Sequence, residues 1–144
     1  MLFIPEHSRY FRVGAIDPGT DTLGTCILDV DLYTCEIILR DVNTLHGSRN
    51  MRRYPGVEEV HGGRWAKLHS HGVELLHWMQ YFGIHSLICE SPFLGRFPQA
   101  FEALVECKTE IRRALYQYDM FMPLETVDPP SAKMAVGVSG KSKN

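Results

Sequence analysis

The sequence predicts an α/β domain with a mixed five-stranded sheet flanked by helices. Three features point there. Short β-rich runs come first and then alternate with long helical patterns. Two of the runs end on an acid followed by a proline-containing turn. No repeat or linker divides the 144 residues, a length that suits one domain spanning 1–144.

Arg12 to Asp17 forms the first apolar run and Thr22 to Val30 the second. Pro18-Gly19-Thr20-Asp21 joins them with strong turn chemistry. Thr34 to Val42 alternates Cys35, Ile37 and Leu39 against Ile38, Arg40 and Val42, which reads as a third strand. Asn43 to Gly63 turns polar and is expected to be a loop of about twenty residues, long enough to suggest a purpose. Trp65, Leu68, Gly72, Leu75, Leu76 and Met79 then recur at helical spacing, with Gly83 placed as a C-cap. Ser86 to Glu90 is a short buried strand. Pro98 opens a second helix whose apolar face is Phe101, Leu104, Val105, Ile111 and Leu115. Met120 to Val127 is expected as the last strand, with a short helix over Ser131 to Val136.

Composition removes several classes. No apolar stretch is long enough to span a bilayer, and Pro5, Glu6 and His7 interrupt any secretory-signal pattern. A cytoplasmic location with no membrane partner is expected. Cys26, Cys35, Cys89 and Cys107 form no C-x-x-C pair, which excludes zinc-ribbon and thioredoxin chemistry. Cys89 and Cys107 fall in apolar patterns and read as buried thiols. A net charge of −2 neither requires nor excludes nucleic acid, because acids at a metal site offset a basic face elsewhere. Basic residues do cluster, at Arg49, Arg52, Arg53, Arg64 and Lys67, and at Lys133, Lys141 and Lys143 beyond the last acid, Asp128.

Asp17 and Glu90 are the candidate chemical residues. In an open α/β sheet, ligands gather where strands end and loops begin. If the first and fourth strands are parallel neighbours, both carboxylates sit side by side. A hard divalent cation, Mg²⁺ or Mn²⁺, relieves their repulsion. Taken singly, each acid reads as structural: Asp17 as a turn residue before Pro-Gly, Glu90 as a surface strand end. It is their pairing that favours a metal site.

These residues carry a family likeness. Val13-Gly-Ala-Ile-Asp17-Pro-Gly-Thr20, with Gly24 beyond, resembles the opening of the RuvC-family Holliday-junction resolvases. Leu87-Ile-Cys-Glu90 resembles their second acidic motif. Val127-Asp-Pro-Pro-Ser-Ala-Lys133 and Val136-Gly-Val-Ser-Gly-Lys141 resemble the stretch before their last helix. The likeness runs in order over nearly the whole chain, in a version suggestive of a phage.

The resemblance implies an RNase H-like fold and an endonuclease that cuts four-way and other branched DNA by two-metal hydrolysis. Two Mg²⁺ (or Mn²⁺) ions are implied, with Asp17 and Glu90 as metal ligands and catalytic carboxylates. Phe93 is implied to stack on bases near the junction centre, and Lys133 to sit near the scissile phosphate as a further catalytic group. Arg52, Arg53, Arg96 and Lys141 complete the expected DNA-binding set. The helix after Phe97 is implied to serve a homodimer, whose two-fold symmetry suits paired nicks. The implied setting is a bacterial or phage-infected cytoplasm. The family draws further acids from a helix near its C-terminus. The chain stops at Asn144 before that helix, so the expectation is a chain that lacks it, binds metal weakly and cuts slowly. Asp21 and Asp128 lie near the site in sequence, but neither matches a family metal position.

Other constellations have plainer readings. His69 and His71 are two apart and do not share a helix face, against the spacing of zinc helices. His46, His61 and His85 read as solvent or cap residues. His61-Gly-Gly-Arg64 is either a phosphate-facing helix start or a plain turn. Arg49 to Arg53 is either a phosphate contact or a solvated loop. Trp78, Tyr116, Tyr118 and Phe121 read as core. Three rival functions stay open: an actin-like phosphate-binding ATPase or sugar kinase, a branch-binding module that does not cut, and an RNase H-like nuclease acting on flaps or RNA–DNA hybrids.

Overall fold

The structure is a computed structural model, and it describes residues 8–92, 95 and 97–128. Strands β1 (Tyr10–Asp17), β2 (Thr22–Asp31) and β3 (Ile37–His46) form an antiparallel meander, as the short turns predicted. The chain then leaves the sheet through α1 (Gly47–Asn50), a 3-10 turn at Met51–Arg53, α2 (Pro55–His61) and the long α3 (Gly63–Phe82). It returns as β4 (Ser86–Glu90), parallel to β1. After α4 (Pro98–Tyr118) it adds β5 (Leu124–Val127), parallel to β4. The five-stranded sheet has the order β3-β2-β1-β4-β5 and is mixed, as expected. Each parallel neighbour needs a long crossover, and α3 and α4 supply them.

Both long helices pack on one face of the sheet. Ile16, Leu23, Ile27, Leu87 and Cys89 point into that layer. They form the core with Leu68, Leu75 and Met79 of α3 and Cys107, Ile111 and Leu115 of α4. Gly14 lets the layers approach: a Cβ there would lie 2.7 Å from the Trp78 ring and 3.1 Å from Leu87. The helix limits follow the expected signals. Gly83 (φ 64°) is left-handed and its N–H bonds to the Met79 carbonyl, while Pro98 sits in the first turn of α4. The opposite face carries Ala15, Cys26, Ile88 and Val42, and among the described residues no helix covers it.

Several expectations give way. The polar segment 43–63 is not a loop. β3 runs on to His46 because β2 offers a paired partner as far as Thr22, and three short helical turns follow. No residue of α2 is buried, so its pattern left no apolar stripe to detect. β3 begins at Ile37 rather than Thr34. The Asp31 side chain accepts the N–H groups of Tyr33 and Thr34, which pulls the chain into a turn with Cys35 left-handed at φ 63°. Met120 and Phe121 form a turn before β5 rather than its first residues. Trp78 and Tyr118 pack against the core as expected, but Tyr116 and Phe121 are exposed, and so is Val105. His85 is not a solvent residue: its ring Nδ1 accepts the Arg12 N–H at 2.8 Å. The expected helix at Ser131–Val136 lies outside the described residues. No helix among the described residues is long and apolar enough to cross a membrane.

Candidate active site

β1 and β4 are parallel neighbours, and their last paired positions are Ile16 and Cys89. Asp17 and Glu90 each follow by one residue. Side chains alternate along a strand, so both acids share the face of Ala15 and Ile88, away from the helices. Adjacent strands lie about 4.8 Å apart, which places the two residues side by side at the strand ends, as the sequence implied. Asp17 is exposed and Glu90 half-buried. They border an open depression of about 420 Å³ lined by Ala15, Ile88, Cys26 and Val127. Gly24 pairs across from Asp17, and a Cβ at Gly24 would come within 3.4 Å of the Asp17 Cβ. Glycine there leaves the flank of the carboxylate open. Asp128 follows Val127, the β5 partner of Glu90, and so lies at the same end of the sheet.

The turn after Asp17 is tightly determined. A Cβ on Gly19 would meet the Thr22 carbonyl at 2.1 Å, so only glycine fits. The Asp21 carbonyl accepts the Gly47 N–H at 2.8 Å, and its carboxylate accepts a 2.6 Å hydrogen bond from Lys67 Nζ. That bond holds the Asp21 carboxyl below its usual range, and it commits Asp21 to α3 rather than to a metal. His71 Nε2 lies 2.8 Å from the Thr20 carbonyl, and the Cys107 thiol approaches the Gly19 carbonyl at 3.7 Å. Burial pushes the Cys107 thiol up to about 11 and raises Cys89 as well. Both thiols stay protonated and are poor nucleophiles.

The donor set fits a hard cation. Two carboxylates at an open strand end suit Mg²⁺ or Mn²⁺, which keep several waters and take one or two carboxylates from the protein. No cluster of three or more His, Cys, Asp or Glu side chains suited to a metal occurs among the described residues. His69 and His71 do not combine either: His69 packs edge-on against Tyr54 at 4.8 Å while His71 turns to Thr20.

The expected DNA-binding residues divide. Phe93, Arg96, Lys133 and Lys141 lie outside the described residues. Arg52 and Arg53 lie on the 3-10 turn, and Arg53 is tied to Glu74 of α3 at 2.6 Å, on the helix side of the sheet. Neither lines the depression beside Asp17 and Glu90. What the sequence reading missed is the scaffold around the turn: Gly47, Lys67, His71 and Cys107. Lys67 and His71 are four apart on α3, a spacing that puts them on one face, and that signal was present.

The fold is RNase H-like. Solved structures of similar fold include Holliday-junction resolvases. Thermus thermophilus RuvC is similar over 93% of this chain and 74% of its own, at 17% identity and a TM-score of 0.68. The same bacterium's RuvC in complex with a Holliday-junction substrate gives a TM-score of 0.68 at 16% identity, over 88% of this chain and 70% of its own. The yeast mitochondrial Holliday-junction resolvase Ydc2 gives 0.53 at 13% identity, over 88% of this chain and 57% of its own. No protein-family model and no curated protein matches the sequence.

Proposed function

We propose that this chain is a structure-selective, divalent-metal-dependent endonuclease acting on four-way and other branched DNA. The observation that carries the reading is the pairing of Asp17 and Glu90 at the ends of parallel strands, on the face of an RNase H-like sheet turned away from the helices. The similar structures named as Holliday-junction resolvases, one of them bound to a junction, support the substrate class.

In this reading Asp17 and Glu90 hold Mg²⁺ or Mn²⁺, two ions in the full site. The metal, when bound, supplies an activated water and stabilises the leaving oxygen of the phosphodiester. The chain's own residues do the rest. Gly24 and Ala15 keep the floor of the site low enough for a backbone phosphate to approach. The rigid turn at Pro18–Asp21 holds Asp17 against displacement. Lys133 is proposed to lie near the scissile phosphate, and Phe93 to stack on a base at the branch. Arg52, Arg53, Arg96 and Lys141 would contact phosphates further out, a sequence-independent attraction that weakens with salt. A homodimer built through α4 would present two such sites to one junction.

The test is cleavage of labelled four-way junction and matched linear duplex with Mg²⁺ or Mn²⁺, beside Glu90→Gln. The expected result is paired nicks in the junction alone, reduced on the order of 100-fold or more by the substitution, as when one charge-stabilising group is removed from an active site. Junction binding without metal-dependent cutting would replace the nuclease by a branch-binding module. Equal treatment of junction and duplex would overturn the reading.

A further inference from the structure

We infer that His71 is a positioning residue for the strand-end site: its Nε2–H holds the Pro18–Asp21 turn from the helix layer and thereby aims the Asp17 carboxylate. The inference rests on the reading of Asp17 and Glu90 as a metal-binding pair.

His71 sits in the middle of α3 with 1% of its surface exposed. Its Nε2 is 2.8 Å from the Thr20 carbonyl oxygen, which can only accept. Nε2 therefore carries the proton and Nδ1 the lone pair. Nδ1 is fully buried and meets no hydrogen-bond partner among the described residues. Burying a ring nitrogen without a partner is costly, and the neighbouring inward positions of α3 are filled by Leu68 and Leu75. A leucine would fill this space at lower cost. What the imidazole adds is one N–H directed at the turn. Burial also lowers the basicity of His71, which keeps the ring neutral and the donor fixed.

The turn needs that donor. Asp17 pairs with no arginine or lysine among the described residues, so its direction depends on its backbone, held by the ladder with Gly24 on one side and by the turn that follows on the other. Of the other contacts on the turn, the Lys67–Asp21 pair is open to solvent on its Asp21 side and is screened there, and the Cys107 thiol is a poor donor at 3.7 Å. Gly47 also packs on the turn: its N–H donates to the Asp21 carbonyl at 2.8 Å, and a Cβ there would come within 2.6 Å of the same Thr20 carbonyl. Among the side chains on the turn, His71 is the buried one with a strong donor, and it acts at Thr20, where the Gly47 bond does not reach. It reaches a backbone atom three residues from Asp17 without approaching the metal pair itself.

The experiment compares the full chain with His71→Leu, which removes the donor, and His71→Gln, whose amide nitrogen extends to about the position of Nε2. Mn²⁺ affinity is measured by electron paramagnetic resonance, and amide exchange at Gly19, Thr20 and Asp21 by NMR. The expected result is a folded leucine variant that binds Mn²⁺ about tenfold more weakly, the scale of losing a group that orients a metal ligand. Its turn amides exchange faster, and glutamine restores both quantities. Unchanged Mn²⁺ affinity and exchange in the leucine variant would overturn the inference. So would equal losses in the leucine and glutamine variants, which would mean that the ring serves only packing. If the unaltered chain shows no Mn²⁺ binding sensitive to Glu90→Gln, the nuclease reading falls. Turn exchange then decides the positioning role by itself.

Discussion

The two ends of β1 both carry acids, and they treat them in opposite ways. Beside its start, Asp29 of β2 is fully buried and accepts hydrogen bonds from Arg12 at 2.8 and 2.9 Å and from Arg40 at 2.9 Å. Asp31 accepts two from Arg9, at 2.8 and 3.0 Å. Arg12 is itself held, by the Phe82 carbonyl at 2.7 Å. The hydrogen bond from Arg12 keeps the Asp29 carboxyl below its usual range against the opposing effect of burial, and that from Arg9 brings Asp31 to about 2. Five residues on, roughly 17 Å at about 3.4 Å per residue, Asp17 faces solvent beside Glu90. In the proposed reading, burial does not mark the functional acid. A buried carboxylate whose lone pairs are taken by guanidinium groups is a structural clamp. On that reading, it is the acid set next to another acid, at an open strand end, that takes a cation.

The comparison breaks most visibly at Asp29. Asp29→Ala leaves Arg12 partly buried with its principal acceptor gone, and removing one member of a buried charge pair is strongly destabilising. Both arginines keep some access to water, which moderates the loss. The expected cost is about 3 kcal/mol, read as a lower urea midpoint at an unchanged slope. A cost below about 0.5 kcal/mol would mean that this cluster is ornamental and that the two ends do not differ in kind.

Acid should separate the same ends. A carboxyl depressed in the folded state contributes stability above its unfolded value and loses it as pH falls through the folded one. For Asp29 and Asp31 that loss begins near 3.8 and, for Asp31, extends to about 2. His71 and His85 are also lowered by burial from 6.5, so their contribution is lost earlier, as pH falls below that value. Thermal unfolding should therefore show a first, shallow decline below about pH 6.5 and a steeper one below about pH 4. Asp31→Asn should flatten the lower stage and leave the upper one. A lower stage unchanged in that variant would place the acid sensitivity elsewhere.

Much of this was legible in the residues. Asp17 and Glu90 stood out because each closes an apolar run and precedes a proline turn, and the strand order that joins them follows from short turns and long crossovers. Asp29 was not legible. It lies inside an apolar strand, and its partners Arg12 and Arg40 come from different strands, so only the register of β1, β2 and β3 brings them together. The same holds for His71. Its neighbour His69 invited a metal reading, whereas its role depends on the turn at Thr20, 51 residues away. The segment 43–63 misled because strand pairing and contacts with α3 order it, and neither leaves a local apolar pattern.

The smallest expected effect is the sharpest test. Asp17→Asn removes a charge from an exposed position with no clamp to break, so in EDTA the stability should change by no more than about 0.5 kcal/mol. The change should favour the variant, because the repulsion from Glu90 is relieved. Saturating Mn²⁺ should then separate the proteins. A ligand at 100 times its dissociation constant stabilises the state it binds by about 2.7 kcal/mol, and the unaltered chain should gain thermal stability on that scale while Asp17→Asn gains little. If Asp17→Asn is instead destabilised in EDTA as much as Asp29→Ala, then Asp17 is a structural acid like its counterpart at the far end. The metal pair would then have to be sought elsewhere. If both proteins are equally stable and equally blind to Mn²⁺, the strand end is open but does not bind the cation, and the nuclease reading loses the observation that carries it.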